Sequence, residues 1–224
     1  MVHPLWHSGN LFAMAVLYTP QTRLERTRVV IATQARRDLQ PWKQWCASVS
    51  SDGAGMIVVS NPGFDSALLA EVLASAREVV GRGLVAAVEP IEAEVRADVV
   101  HVSTPDHASM WKQRLAGCQV SSIDQAREAI GAGCAYLVAD LSVEGLVAQM
   151  ADLAVTHSDL IWFVSGCSSI SDLDMARNLG ARRVWMEAEM DVAVRMWANH
   201  LRKKSTMETG ELTKRFPWMG THDS

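Results

Sequence analysis

The chain has 224 residues, 49% hydrophobic and 21% charged, which suits a globular protein with a sizeable buried core in one large domain or two small ones. Its 25 acidic and 21 basic residues leave a formal net charge of −4 and form no basic stripe, which argues against nucleic acid as a partner.

Residues 1–27 stand apart as an N-terminal extension. They carry Trp6, Phe12 and Tyr18, aromatic side chains suited to closing the floor of a fold or to a homodimer contact. The apolar stretch 11–18 is too short to span a bilayer and has no basic segment before it, so neither a membrane span nor a signal peptide is expected. From residue 28 onward, short β-rich runs alternate with helix-period segments. The predicted strands are 29–33, 56–60, 84–88, 99–103, 118–120, 136–139, 160–164 and 184–186. Most are continuous apolar runs, as expected of strands buried on both faces. Between them, Leu69, Val72, Leu73, Ala76 and Val80 form one helical stripe, and Ile123, Ala126 and Ile130 another. Leu146, Met150 and Leu153 form a third, and Met190, Val194, Trp197 and Leu201 a fourth. Ser122, Ser169 and Ser171 are candidate N-caps, and Pro41 fits a first helical turn.

A small echo points to a repeated unit. Gly53-Ala54-Gly55, Gly131-Ala132-Gly133 and Gly180-Ala181 each lie between a helix and the next strand, where a left-handed helix end favours glycine. Counting a weak third helix near 91–96, there are eight strand–helix units, which predicts an α/β fold of the (β/α)₈ TIM-barrel type over residues 28–204. Strands 3 and 5 are weakly marked, so an open doubly wound sheet is the alternative. Residues 205–224 form a polar, flexible tail, with Phe216 and Trp218 able to dock. The four cysteines, Cys46, Cys118, Cys134 and Cys167, are widely spread with no C-x-x-C and no zinc spacing. Reduced, mostly buried thiols in a cytoplasmic protein are therefore expected.

Ligands of such barrels bind at the C-terminal ends of the strands. Those ends carry Ser60-Asn61, Glu89, Asp106, Ser121, Asp140, Ser165-Gly166 and Glu187, and no Lys or Arg. Lys112, Arg36 and Arg37 are the nearest cations in sequence. Four carboxylates around one mouth call for something positive, such as Mg²⁺ or an amine, or for protonation of one acid. The alternative is that each acid caps a helix, as Asp140 and Glu187 are placed to do. His101 and His107 flank Asp106 and open the option of a transition metal, although a packed or hydrogen-bonded histidine fits equally. "SGCSS" at 165–169 offers amides and hydroxyls at a helix start: an anion nest, or plain N-capping.

The segments "ADVVHVSTPD", "AREAIGAGCAYLVAD" and "FVSGCSSISDLDMARNLGARRVWM" resemble, in order and spacing, the corresponding segments of thiamine phosphate synthases and the related thiazole tautomerases. The resemblance covers roughly residues 28–200. It implies a barrel related to thiamine biosynthesis, with a transferase that condenses a pyrimidine pyrophosphate with a thiazole phosphate using Mg²⁺. The family's metal ligand after strand 4 matches Asp106; its acidic pair after strand 3 falls in "AAVEPIE", where Glu89 is the nearest acid. Other motif positions depart. The basic grip after strand 2 reads Val58, Ser60 and Pro62, and the S-T-H after strand 5 reads Gln119, Val120 and Ser121. The T-x-T-K loop after strand 6 is missing, since "VAD" runs directly into "LSVEGL". The phosphate-gripping pairs read Ser165-Gly166 and Glu187-Ala188. A carboxylate beside a phosphate is repulsive by about 1–4 kcal/mol, so the expected site has a phosphate grip's layout with its electrostatics reversed.

The expectation is thus a barrel that is not a competent synthase, with an acidic mouth used for ligand binding, regulation or assembly. Asp106 and Glu89 are its candidate metal ligands. Ser60, Asn61, Ser121, Asp140, Ser165, Gly166 and Glu187 are its candidate contacts to a thiamine-related small molecule, and a protein partner is the other option. The alternative is an active transferase that uses non-standard residues, with Lys112 or Arg36 reaching in.

Overall fold

The computed structural model describes residues 19–91, 96–111 and 113–188. Eight parallel strands, β1 (Val29–Gln34), β2 (Met56–Ser60), β3 (Leu84–Val88), β4 (Val99–Val102), β5 (Leu115–Val120), β6 (Tyr136–Asp140), β7 (Trp162–Ser165) and β8 (Val184–Glu187), close into a barrel in chain order. Closure comes from β8 lying on β1, with Val29 opposite Val184 and Ala32 opposite Glu187. That pairing rules out the open sheet. The helices are α1 (Pro20–Arg26), α2 (Leu39–Ser51), α3 (Ser66–Val79), α4 (Ile123–Gly131), α5 (Leu146–Thr156) and α6 (Ile170–Asn178). A 3₁₀ helix, η1 (Pro105–Trp111), follows β4 in place of the expected α-helix.

Why the strands read as unbroken apolar runs is plain from their two faces. One face fills the barrel interior, where Val30, Met56, Leu84, Val99, Tyr136 and Phe163 pack together. The other meets the helices, where Ile31, Ile57, Val85, Val100 and Leu137 join Leu69, Leu73 and Met150. Leu24 of α1 is fully buried in the interior cluster, so the end of the N-terminal extension plugs the barrel floor. β5 starts at Leu115, earlier than predicted, because Ala116 and Gly117 carry little apolar signal although both are buried.

The glycine echo has a common geometry. Gly53, Gly133 and Gly180 all have positive φ, at 118°, 86° and 104°. In each case the next residue's amide reaches back to the helix: Ala54 to the Val49 carbonyl, Cys134 to Ala129 and Ala181 to Ala176, each at 3.0 Å. These are Schellman ends, and they set the chain's angle into β2, β6 and β8. Ser122 and Ser169 cap α4 and α6 as expected; Ser171 lies inside α6. The stripe 190–201, the tail, Lys112 and most of the weak third helix lie outside the described residues, as do Trp6, Phe12 and Tyr18.

Candidate functional site

At the C-terminal ends of the strands the barrel opens into a cavity of about 760 Å³. Its floor includes His101 and Trp185, and beneath it inward-facing residues of three adjacent strands interlock. His101 of β4 lies in register with Gly117 of β5, which lies in register with Tyr136 of β6. Gly117 has no side chain, and the Tyr136 ring occupies that space: a Cβ there would fall 2.2 Å from the ring. Tyr136 thereby crosses β5 to share a 3.0 Å hydrogen bond between its hydroxyl and His101 Nδ1. Trp185 of β8 packs on the His101 ring at a centroid distance of 4.8 Å. Burial pushes the His101 imidazole down to about 4, with the Glu89 charge opposing, and pushes the Tyr136 phenol up. The floor is therefore uncharged at neutral pH.

The walls carry the charge. Ser60, Asp140, Ser165, Gly166 and Glu187, five of the seven predicted ligand contacts, line this one cavity. Asp140 is held at both oxygens: Oδ1 accepts from the Ser142 amide at 2.8 Å and hydroxyl at 2.7 Å, and Oδ2 accepts from the Ser165 hydroxyl at 3.5 Å. It caps that turn rather than α5, whose N-cap is Gly145. Gly166, with φ of 76°, lies so close that a Cβ would stand 2.5 Å from Asp140 Oδ1. Gln34 and Gln119 add amides, and Arg36 adds a guanidinium that also stacks on Trp45 at 5.3 Å. Among the described residues, two carboxylates and one guanidinium with a neutral histidine make the lining net negative. No lysine lines the cavity among the described residues.

The expected ring of four carboxylates is reduced to two, because the other acids are turned elsewhere. Glu89 Oε1 accepts from Trp111 Nε1 at 2.7 Å, while Oε2 takes the Ser103 amide at 3.1 Å, its hydroxyl at 3.2 Å and His107 Nδ1 at 2.8 Å. This network ties the end of β3 to η1. Burial raises the Glu89 carboxyl, but the donors from Trp111, His107 and Ser103 outweigh it and hold the group below its usual range. A carboxylate whose two oxygens already face four protein donors does not fit a Mg²⁺ ligand, which needs lone pairs directed at the ion. Asp106 is exposed on η1, and neither acid lines the cavity. Among the described residues no three His, Cys, Asp or Glu side chains are grouped to hold a metal.

Asn61 and Ser121 are likewise engaged within their own loops. Asn61 Oδ1 accepts from the Gly63 and Phe64 amides at 3.0 and 2.7 Å, folding the loop after β2. Ser121 donates its amide and hydroxyl to Gln125 Oε1 at 2.8 and 3.0 Å. The same device recurs in "SGCSS". Ser168 donates its amide and hydroxyl to Asp172 Oδ2, both at 2.9 Å, while the Asp172 amide donates to Ser169 Oγ. Hydrogen bonds from Ser168 and Ser169 hold Asp172 below the usual carboxylate range. "SSIDQ" and "SSISD" are thus one capping box used twice, a repeat that goes beyond single serine caps. Before α6 the chain's own Asp172 carboxylate takes the Ser168 amide and hydroxyl that an anion nest would use.

Trp185 was not singled out from the sequence, and Gly117 and Tyr136 carried no sign of a joint role. Their juxtaposition depends on register across three strands, which no local window contains.

No protein-family model matches the chain, and no curated protein matches its sequence. Solved structures do. A thiamine phosphate pyrophosphorylase from Pyrococcus furiosus superposes with a TM-score of 0.60 at 17% identity, covering 81% of this chain and 96% of that one. A dihydropteroate synthase from Thermus thermophilus gives 0.57 at 14%, covering 82% and 95%. A 2-keto-3-deoxy-6-phospho-gluconate aldolase from Zymomonas mobilis gives 0.55 at 13%, covering 73% and 84%. The likeness is one of fold. The chain is a TIM-type barrel, a fold it shares with these three enzymes of different families.

Proposed function

We propose that this barrel binds a small, non-phosphorylated ligand with a cationic or amine-bearing ring, in the manner of a thiamine-related compound, and does not run the synthase reaction. One observation carries the proposal: at the β7 and β8 ends, a common position for a phosphate in these barrels, the chain supplies carboxylates instead. Asp172 occupies the Ser168 donors, and Glu187 lines the same cavity as Asp140. A phosphate there meets repulsion, whereas a cationic ring meets two carboxylates above a floor of Trp185 and His101. A second reading has one observation in its favour: Arg36 reaches the lining and supplies a single cation for an anionic substrate, as an active transferase would need.

Thermal-shift titration with thiazole phosphate, thiamine, thiamine phosphate and pyrophosphate, each with and without Mg²⁺, separates these readings. A binder at a hundred times its Kd stabilises by about 2.7 kcal/mol. A shift with thiamine and none with phosphorylated ligands is expected. Saturable binding of thiazole phosphate, followed by thiamine phosphate formation once the pyrimidine pyrophosphate is added, would establish the transferase instead. Silence towards every ligand would direct the search to a protein partner.

A further inference from the structure

Cys118 and Cys134 look unrelated in sequence, yet the fold brings their sulfurs to 3.7 Å. Cys118 sits on β5 and is fully buried; Cys134 follows the Schellman end of α4 and is partly exposed. Their backbones are fixed on both sides. The Cys134 amide donates to the Ala129 carbonyl at 3.0 Å, and the neighbouring Ala135 amide donates to Ala116 at 2.6 Å. Gly117 and Cys118 are then locked in register with Tyr136 and Leu137. A disulfide needs the sulfurs at about 2.05 Å, so the two sulfurs must close the remaining gap.

We propose that Cys118 and Cys134 are a reversible oxidation site that a hydroperoxide converts to an intrachain disulfide between β5 and the start of β6. The two sulfurs have different parts. Cys134 is the one a solute can reach, and the hydrogen bond from Cys118 favours its thiolate against the effect of burial. The same bond, together with burial, keeps Cys118 protonated. In the first step the Cys134 thiolate attacks one peroxide oxygen. An S–O bond forms, the O–O bond breaks, and the departing oxygen takes a proton and leaves as water or alcohol. The Cys118 sulfur then attacks the Cys134 sulfenic acid. An S–S bond forms, the S–O bond breaks, and hydroxide leaves with the Cys118 proton as water. Two thiols lose two electrons, one peroxide gains them, and a dithiol reductant reverses the change. Cys46 and Cys167 are separate and buried, and burial pushes each thiol up to about 12, so neither competes.

The pair lies directly behind the cavity. Cys118 stands between Gly117, beneath the Tyr136 ring, and Gln119, which lines the cavity. Oxidation would therefore cross-link the strands that carry the floor.

The test treats the reduced, folded full-length protein with one equivalent of hydrogen peroxide, then blocks free thiols and measures intact mass and peptide linkage. Expected are loss of two hydrogens, a fall from four blocked thiols to two, and a cross-linked peptide joining Cys118 to Cys134. Dithiothreitol should restore all four. Cys118→Ser should leave a dimedone-reactive sulfenic acid on Cys134, and Cys134→Ser should leave no sulfenic acid and no cross-link. Four free thiols after treatment of the wild-type chain would overturn the proposal. So would oxidation of Cys134 to the sulfinic acid without cross-linking, or a cross-link through Cys46 or Cys167.

Discussion

Gly117 shows how much one missing side chain can decide. A methyl group there would lie 2.2–2.4 Å from three atoms of the Tyr136 ring, and that ring is wholly buried. Gly117→Ala is therefore expected to destabilise the protein by at least about 2 kcal/mol, by overpacking. Tyr136→Leu in the same background should recover part of the loss, and paired denaturant curves check both. His101 is the second decisive residue. Its imidazole is held at about 4, below the usual 6.5, chiefly by burial. The unfolded chain takes up this proton first as pH falls, so the contribution is fully present above about pH 6.5 and disappears by about pH 4, where the folded form protonates too. That window corresponds to a loss of about 3 kcal/mol. His101→Gln should remove this component from a stability–pH profile. Glu89 is the charge that opposes the shift, and Tyr136, Trp185 and Gln119 are the other side chains around this part of the floor. A difference profile flat from pH 7 to 4 would show that His101 is not buried as described.

At the scale of the elements, the helix ends do most to set geometry, and their glycines are not equivalent. A Cβ on Gly133 meets nothing within 4 Å, so Gly133→Ala costs only left-handed backbone strain, about 1 kcal/mol. A Cβ on Gly180 meets the Ala151 methyl of α5 at 2.6 Å, so Gly180→Ala adds a clash between neighbouring helices and should cost clearly more. Thermal midpoints of the two variants, with CD to confirm helix content, test that ranking. The serine boxes at α4 and α6 were only half legible. Each Ser-to-amide cap was visible as a local pattern, but the return bonds of Gln125 and Asp172 to the preceding serine emerged only with the helix in place. The same holds for η1. "STPD" announces a turn, whereas the clasp of Glu89 on Ser103, His107 and Trp111 joins residues 14 to 22 positions apart.

For the whole molecule, the charge of the mouth is the property most directly tied to function. Asp140 and Glu187 lie on β6 and β8, with β7 between them, so their fields add within one cavity. Glu187→Gln should weaken a cationic ring ligand by at least about fivefold, near 1 kcal/mol, and should strengthen inorganic phosphate or thiazole phosphate. Asp140→Asn should act in the same sense, although its Ser142 bonds must re-form around an amide. Opposite shifts for the two ligand classes, read by calorimetry, would distinguish electrostatics from structural damage, which weakens both. A loss for both would remove Glu187 from the binding surface.

The sequence alone determined the strand–helix alternation, the strand cores and the glycine-terminated helix ends, because each is written in apolar periodicity and backbone preference within a few residues. It also placed Ser60, Asp140, Ser165, Gly166 and Glu187 at strand ends, and a barrel necessarily gathers strand ends in one mouth. Tertiary structure alone decided which polar side chains line that mouth. Asn61, Ser121 and Glu89 look as suitable as their neighbours until the loop amides, Gln125 and Trp111 claim their hydrogen bonds. It also decided the Cys118–Cys134 approach and the stacking of Tyr136 over Gly117. These contacts depend on the register between strands, a relation between distant segments that exists only once the barrel has closed.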